Sequence, residues 1–119
     1  MAGIRGFEEL VAWQKGHRLA VDVYRTTKPC LRQDFDLCRQ ARRSAVSVVS
    51  NVAEGFERFS PAEFGYFLGV ARGSAGELRA QLRLMQDLGY LPGPSVEPLI
   101  LRSTEVSRII AGLAASLRR

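Results

Sequence analysis

The amino-acid sequence predicts an all-α protein folded as an antiparallel up-down four-helix bundle. Three observations predict it. Apolar residues recur three and four positions apart through four stretches of the chain. Short turn-forming segments at Lys28-Pro29, Ser60-Pro61 and Pro92-Gly93-Pro94-Ser95 separate those stretches. No stretch alternates apolar and polar residues as a half-buried strand would.

The first helix is predicted over residues 7–27. Phe7, Leu10, Val11, Trp13, His17, Ala20, Val21 and Tyr24 form its apolar face, with Glu8 and Glu9 in the first turn. Lys28-Pro29 ends it, because proline disfavours helix at the preceding residue, and Cys30 to Gln33 reads as a loop. The second helix spans residues 34–58, with Asp34 as N-cap. Leu37, Ala41, Ala45, Val48, Val52 and Phe56 make one apolar row, and Val46, Val49 and Ala53 widen it beyond what a single core requires. Opposite runs a row of short polar residues, Gln40, Arg43/Ser44, Ser47, Asn51 and Glu54, suited to hydrogen bonding with a neighbouring helix.

The third helix, residues 61–88, has the clearest start. Ser60-Pro61-Ala62-Glu63 is a capping box with proline at the first helical position. Phe64, Phe67, Leu68, Ala71, Ala75, Leu78, Leu82 and Met85 follow at helical spacing, and Gly89 closes the helix. Gly65, Gly69, Gly73 and Gly76 lie inside it, each costing about 1 kcal/mol against alanine. Close approach by the backbone of a neighbouring helix or subunit would compensate; a long, well-packed helix that tolerates them is the other reading. The fourth helix spans residues 95–117, capped by Ser95 and faced by Leu99, Val106, Ile109/Ile110, Leu113 and Leu117.

At 119 residues the chain suits one domain. No apolar run reaches the roughly 18 residues of a membrane span, and the N-terminus is acidic too early for a signal peptide, so a cytoplasmic protein with no membrane partner is expected. Two cysteines, Cys30 and Cys38, and one histidine, His17, are too few for a structural zinc site; neither metal nor cofactor is expected. His17 has no nucleophile near it in sequence and reads as structural. Glu54 and Glu77 could meet in the core, but the Glu-x-x-His motifs of di-metal bundles do not occur, so carboxylates paired with Arg43 or held by hydroxyls are expected. No catalytic residue is assigned, and the protein is expected not to be an enzyme.

The net charge of +5 is carried mostly by arginine. Such a balance suits nucleic acid, and equally a soluble surface. Arg72, Arg79 and Arg83 share one side of the third helix, Arg39, Arg42 and Arg43 cluster on the second, and Lys15, Arg18 and Arg25 lie on the first. Arg118 and Arg119 end the chain. Arginine rows on rigid helices can track phosphates. Neither a recognition-helix motif nor an aromatic stacking platform is legible, so sequence-specific base reading is not expected.

The segment from Gln40 through Ala45-Val46-Ser47 to Asn51-Val52-Ala53-Glu54-Gly55 resembles a family of four-helix-bundle proteins first noticed as reading frames in intervening sequences of large-subunit ribosomal RNA genes. Ser60-Pro61-Ala62-Glu63-Phe64, Ala71-Arg72-Gly73-Ser74, Glu77-Leu78 and Leu88-Gly89-Tyr90-Leu91 continue the match, and Trp13-Gln14-Lys15 resembles the family's opening motif. The resemblance spans residues 7–117. It implies an antiparallel four-helix bundle assembled as a homopentamer. A relative, the accessory variability protein of diversity-generating retroelements, binds nucleic acid and engages a reverse transcriptase.

Carried over by motif, Gln40, Arg43, Ser47, Asn51, Glu54, Ser74 and Glu77 are the family's polar signature, read physically as an inter-helix hydrogen-bond network. Burial of Asn51 in it would make Asn51→Ala cost about 1–3 kcal/mol. The chain departs from the family pattern around Pro29-Cys30-Leu31 and at Gly16, where alanine is common. The expectation is therefore an oligomer that binds RNA or DNA through Arg39, Arg42, Arg72, Arg79, Arg83, Lys15 and Arg18, as an accessory to a nucleic-acid-processing protein. The alternative is a structural or protein-interaction scaffold whose arginines meet acidic partners.

Overall fold

The computed structural model describes residues 3–118, and all of its regular secondary structure is helical. Arg119 and the first two residues lie outside the described residues. A 3₁₀ turn, Phe7–Glu9, precedes α1, Val11–Thr26. The one-turn α2, Cys30–Gln33, leads into α3, Phe35–Phe56; α4 spans Pro61–Asp87 and α5 spans Gly93–Ser116. The particle measures 45 × 20 × 19 Å. Packing is cyclic: α1 lies against α3 and α5, α3 against α4, and α4 against α5. A helical bundle results.

Local chemistry accounts for most helix ends. The Asp34 carboxylate accepts from the Leu37 N–H at 3.0 Å. The Ser60 hydroxyl accepts from the Glu63 N–H at 3.1 Å, and the Glu63 carboxylate accepts from that hydroxyl, so the box closes through the side chain. Gly89 has φ 74°, the left-handed stop that the sequence predicts. Two expectations need correction. Ser95 does not cap α5: that helix begins at Gly93 behind Pro92, because the two prolines already hold helix-compatible φ there. Cys30 to Gln33 is a helical turn rather than a loop; Pro29 sits in the right-handed helical region and starts it.

The core carries the predicted rows of α3, α4 and α5, including Val48, Val52, Leu68, Leu78, Leu82, Met85 and Ile110. On α1 the buried face overlaps the predicted one at Leu10 and Ala20 but is otherwise shifted. Ala12, Gly16, Leu19, Ala20 and Val23 turn inward, while Val11, His17 and Tyr24 are exposed. Small residues let α1 settle closely on α3: a Cβ at Gly16 would lie 3.2 Å from Val49 Cγ1. His17 and Tyr24 therefore occupy the rim, while Leu19 and Val23 pack inside.

The glycines also sort differently. A Cβ at Gly65, Gly69, Gly73 or Gly76 would meet nothing within 4 Å, so no neighbouring helix of the chain compensates for them. The glycine that sterics demand is Gly55 on α3, where a Cβ would lie 2.8 Å from Phe67 Cβ and 3.3 Å from the Phe64 carbonyl oxygen. These environments give one substitution two signs. Gly55→Ala lowers stability by about 1–3 kcal/mol, as overpacking of a tight contact does. Gly73→Ala raises it by about 0.5–1 kcal/mol, because alanine loses less backbone entropy on folding. Urea denaturation midpoints measure both; a loss at Gly73 would place another chain against that face.

Candidate nucleic-acid interface

The arginines that the sequence groups are separated by the fold. Arg42 is half-buried on α3 and reaches the C-terminal end of α1. Its guanidinium donates to the Tyr24 carbonyl at 2.9 Å and to Thr27 Oγ1 at 3.0 Å, and lies 4.6 Å from the Tyr24 ring centroid. Thr27 Oγ1 in turn donates to the Val23 carbonyl at 2.7 Å, and the Cys38 thiol donates to the Thr27 carbonyl at 3.5 Å. Together these groups satisfy the orphan carbonyls of a helix end and place a cation at its negative pole. Arg42 is a helix cap, not a free phosphate ligand.

Lys15 is also engaged, 3.2 Å from the Glu105 carboxylate, beside the Arg102–Asp22 pair at 2.7 Å. Arg18 is exposed next to them. Arg39 is exposed on α3 with its guanidinium 6.0 Å from the Phe35 ring.

Arg72, Arg79 and Arg83 do form one row, on α4 toward α5. Between the two helices lies an open furrow. One stretch of it, about 250 Å³, is lined by Arg72, Arg79, Thr104, Ser107, Arg108 and Ala111. A second stretch of about 250 Å³ shares Arg72 and Ala111 with the first, runs over Gly65 and Gly69, and ends at Arg118. Arg83 continues the row along α4 beyond it. Among the described residues no aspartate or glutamate lines either stretch, and the side chains of Arg72, Arg79, Arg108 and Arg118 make no ion pair or hydrogen bond with any other described residue. Arg108 was not singled out from sequence. Its signal is the helical recurrence of small and polar residues Thr104, Ser107, Arg108 and Ala111, which an apolar-face search passes over.

The polar signature is only partly a network. Ser47 and Ser74 join α3 to α4 through a 2.7 Å hydroxyl pair, and Asn51 Nδ2 donates to the Ser47 carbonyl at 2.8 Å and to its hydroxyl at 3.0 Å. The Ser44 hydroxyl donates to Gln81 Oε1 at 2.9 Å, and Gln81 is a partner the motif does not contain. Gln40, Arg43, Glu54 and Glu77 are exposed and take no part in it. Glu54 approaches Arg58 at 3.8 Å rather than Arg43.

The remaining chemistry is inert. Cys30 and Cys38 are free and fully buried; burial, reinforced by the neighbouring Cys38 thiol, pushes the Cys30 thiol up. His17 is exposed and stacks on Trp13 at 4.6 Å. No three His, Cys, Asp or Glu side chains cluster as metal ligands among the described residues, and no described helix is long and apolar enough to cross a membrane. A separate apolar groove of about 420 Å³ runs between α1 and α3, lined by His17, Ala20, Val21, Tyr24, Val46 and Val49 and flanked by Arg25. It is where the unburied faces of those two helices meet.

Fold and surface thus define a class: a small helical bundle bearing one basic furrow and one apolar groove. The chain belongs to the 23S rRNA-intervening sequence protein family, whose pattern matches residues 8–112. In fold it is similar to a solved structure from Bacteroides thetaiotaomicron, described as a protein with unknown function from the S23 ribosomal protein family. The two share 24% identity over 87% of this chain and 98% of that one, with a TM-score of 0.83. No curated protein matches the chain.

Two measurements check these assignments. Arg42→Ala lowers stability by about 1–3 kcal/mol through the stranded α1 carbonyls, whereas Arg72→Ala stays within about 0.5 kcal/mol. Asn51→Ala falls at the low end of its expected range, near 1 kcal/mol, because Asn51 is half-buried and Ser47 and Ser74 still satisfy each other. Chemical denaturation distinguishes all three. Both thiols resist an aromatic disulfide reagent at pH 8 in the native protein and react on unfolding, since neither buried sulfur is accessible to the reagent.

Proposed function

We propose that this protein is a non-enzymatic, oligomeric helical bundle that binds RNA or DNA through the arginine face of α4 and α5, as an accessory to another nucleic-acid protein in the cytoplasm. One observation carries the reading: the furrow concentrates Arg72, Arg79, Arg108 and Arg118 without a lining carboxylate. Guanidinium groups held on rigid helices and unneutralised by their own chain attract a polyanion and release its counterions on contact. The family's name, which ties it to 23S rRNA, supports RNA as one ligand.

The cyclic packing order and the short connections support an antiparallel up-down arrangement of the four long helices. Exposed Glu54 and Glu77 and a stacked, exposed His17 support a protein without catalysis. The α1–α3 groove supports self-association, and a homopentamer is what the family resemblance implies. Apolar surface of this kind is expensive to leave in water.

Retention of the protein on mixed RNA or DNA at low salt, weakening steeply as salt rises, is expected. Replacing Arg72, Arg79 and Arg108 together by alanine flattens the slope of log affinity against log salt by about two units. No retention even at low ionic strength favours the scaffold whose arginines meet acidic proteins. Light scattering gives an oligomeric mass, and Val46→Glu lowers it toward one protomer.

A further inference from the structure

We infer that the α4–α5 furrow takes single-stranded rather than duplex nucleic acid, and that Phe59 stacks on a base of the strand where it leaves the furrow. This rests on the nucleic-acid reading above and adds the form of the ligand.

The furrow is continuous and long. Past Arg118 it opens into a third stretch of about 400 Å³, bounded by Pro61 and Ala62 on α4 and by Ala114 and Leu117 at the end of α5. From Pro61 to Arg79 it follows α4 for about 27 Å, at 1.5 Å per residue. Its floor is unusually low. Gly65 and Gly69 have no side chain, and Ala111 and Ala114 face them across the gap. Guanidinium groups rise from both walls, and the Thr104 and Ser107 hydroxyls supply further donors at one end.

Shape decides between the two forms of nucleic acid. When a helix reads a duplex, the helix enters the duplex's own major groove, about 12 Å wide. Here the concavity belongs to the protein. Neighbouring helix axes lie only about 8–10 Å apart, so the concavity above their contact line matches the width of one sugar-phosphate strand rather than of a duplex. A duplex would rest on the rim and leave the floor empty. Gly65 and Gly69 thereby acquire a use: they keep the channel open along a helix whose own packing does not need them.

Phe59 stands two residues before Pro61, at the mouth of the furrow. It is fully exposed, at 103% of its reference area, and makes no aromatic contact with another described residue. Tyr66, one turn into α4, is 68% exposed. The sequence offered no stacking platform, because neither aromatic belongs to a motif; the fold leaves both exposed near the α3–α4 connection, where Glu57, Arg58 and Glu63 also lie. An unpaired base presents a π-face to such a ring, and a paired base does not. Stacking of this kind tolerates any sequence.

Fluorescence anisotropy on the full chain tests the proposal, using labelled oligouridine and oligothymidine of about 4–16 nucleotides, the span over which such sites saturate, against a duplex of equal phosphate number. Single strands are expected to bind more tightly than the duplex, with affinity levelling off within that span. Phe59→Ala weakens single-strand binding by about five- to a hundredfold, Phe59→Trp retains it, and duplex binding is unmoved by either. Whichever sugar gives the Phe59 dependence identifies the strand accepted. Tighter duplex binding, or single-strand binding indifferent to Phe59→Ala yet lost in the Arg72/Arg79/Arg108 variant, overturns this inference and leaves the polyanion reading standing. Binding of neither form at low salt overturns both. Circular dichroism of the Phe59 variants guards against a folding artefact.

Discussion

Helices α3 and α4 meet so closely at Gly55 that a single methyl group has no room between that residue and the Phe64–Phe67 segment. The same contact is held along its length by the Ser47–Ser74 hydroxyl pair and by Ser44 on Gln81. Small and hydroxylated residues thus allow a tight seam and leave no buried polar side-chain atom unmatched among the described residues. The rest of the architecture follows from where that seam lies. With one side of α4 committed to α3 and its apolar row to the core, its glycine and arginine side is turned toward α5. The furrow is what remains outside the line along which α4 and α5 pack.

The fold separates two kinds of unfinished surface. The α1–α3 side leaves Val46, Val49, Val21 and Tyr24 in an apolar groove, and the α4–α5 side leaves guanidinium groups without counter-charges. Elsewhere several polar and charged groups are met within the chain. Arg42 caps α1, Lys15 and Arg102 pair with carboxylates across the α1–α5 contact, and Tyr90 donates to Asp34 at 3.2 Å, tying the α4–α5 turn to the start of α3. Two unfinished surfaces on opposite pairs of helices can serve two partners at once, one through exclusion of water and the other through release of counterions.

Much of the helical framework was legible because its signals are local. The Ser60–Glu63 box, the Asp34 cap and the Gly89 stop each depend on residues within a turn of one another, and each stands where the sequence predicts it. Ser95 failed as a cap because Pro94 and Pro98 do not identify a first residue unaided; Pro92 set it two positions earlier. The face of α1, correct at Leu10 and Ala20, was otherwise displaced for a different reason. Hydrophobicity ranks Trp13, Val21 and Tyr24 above Ala12 and Gly16, but the depth of the seam against α3 selects the small residues.

Sequence by itself determined the helical class, the positions of the long helices, the width of the apolar row on α3 and the presence of an arginine row on α4. These depend on spacing along one helix, which 3.6 residues per turn converts directly into faces. Only the tertiary structure decided which arginines are free. Arg42 and Arg72 are the same residue in the same sort of stretch, yet one is spent on the carbonyls of α1 and the other faces Arg108 across the furrow. That difference depends on which helix lies alongside and how near. Distances between segments far apart in the chain are a property of packing, not of periodicity.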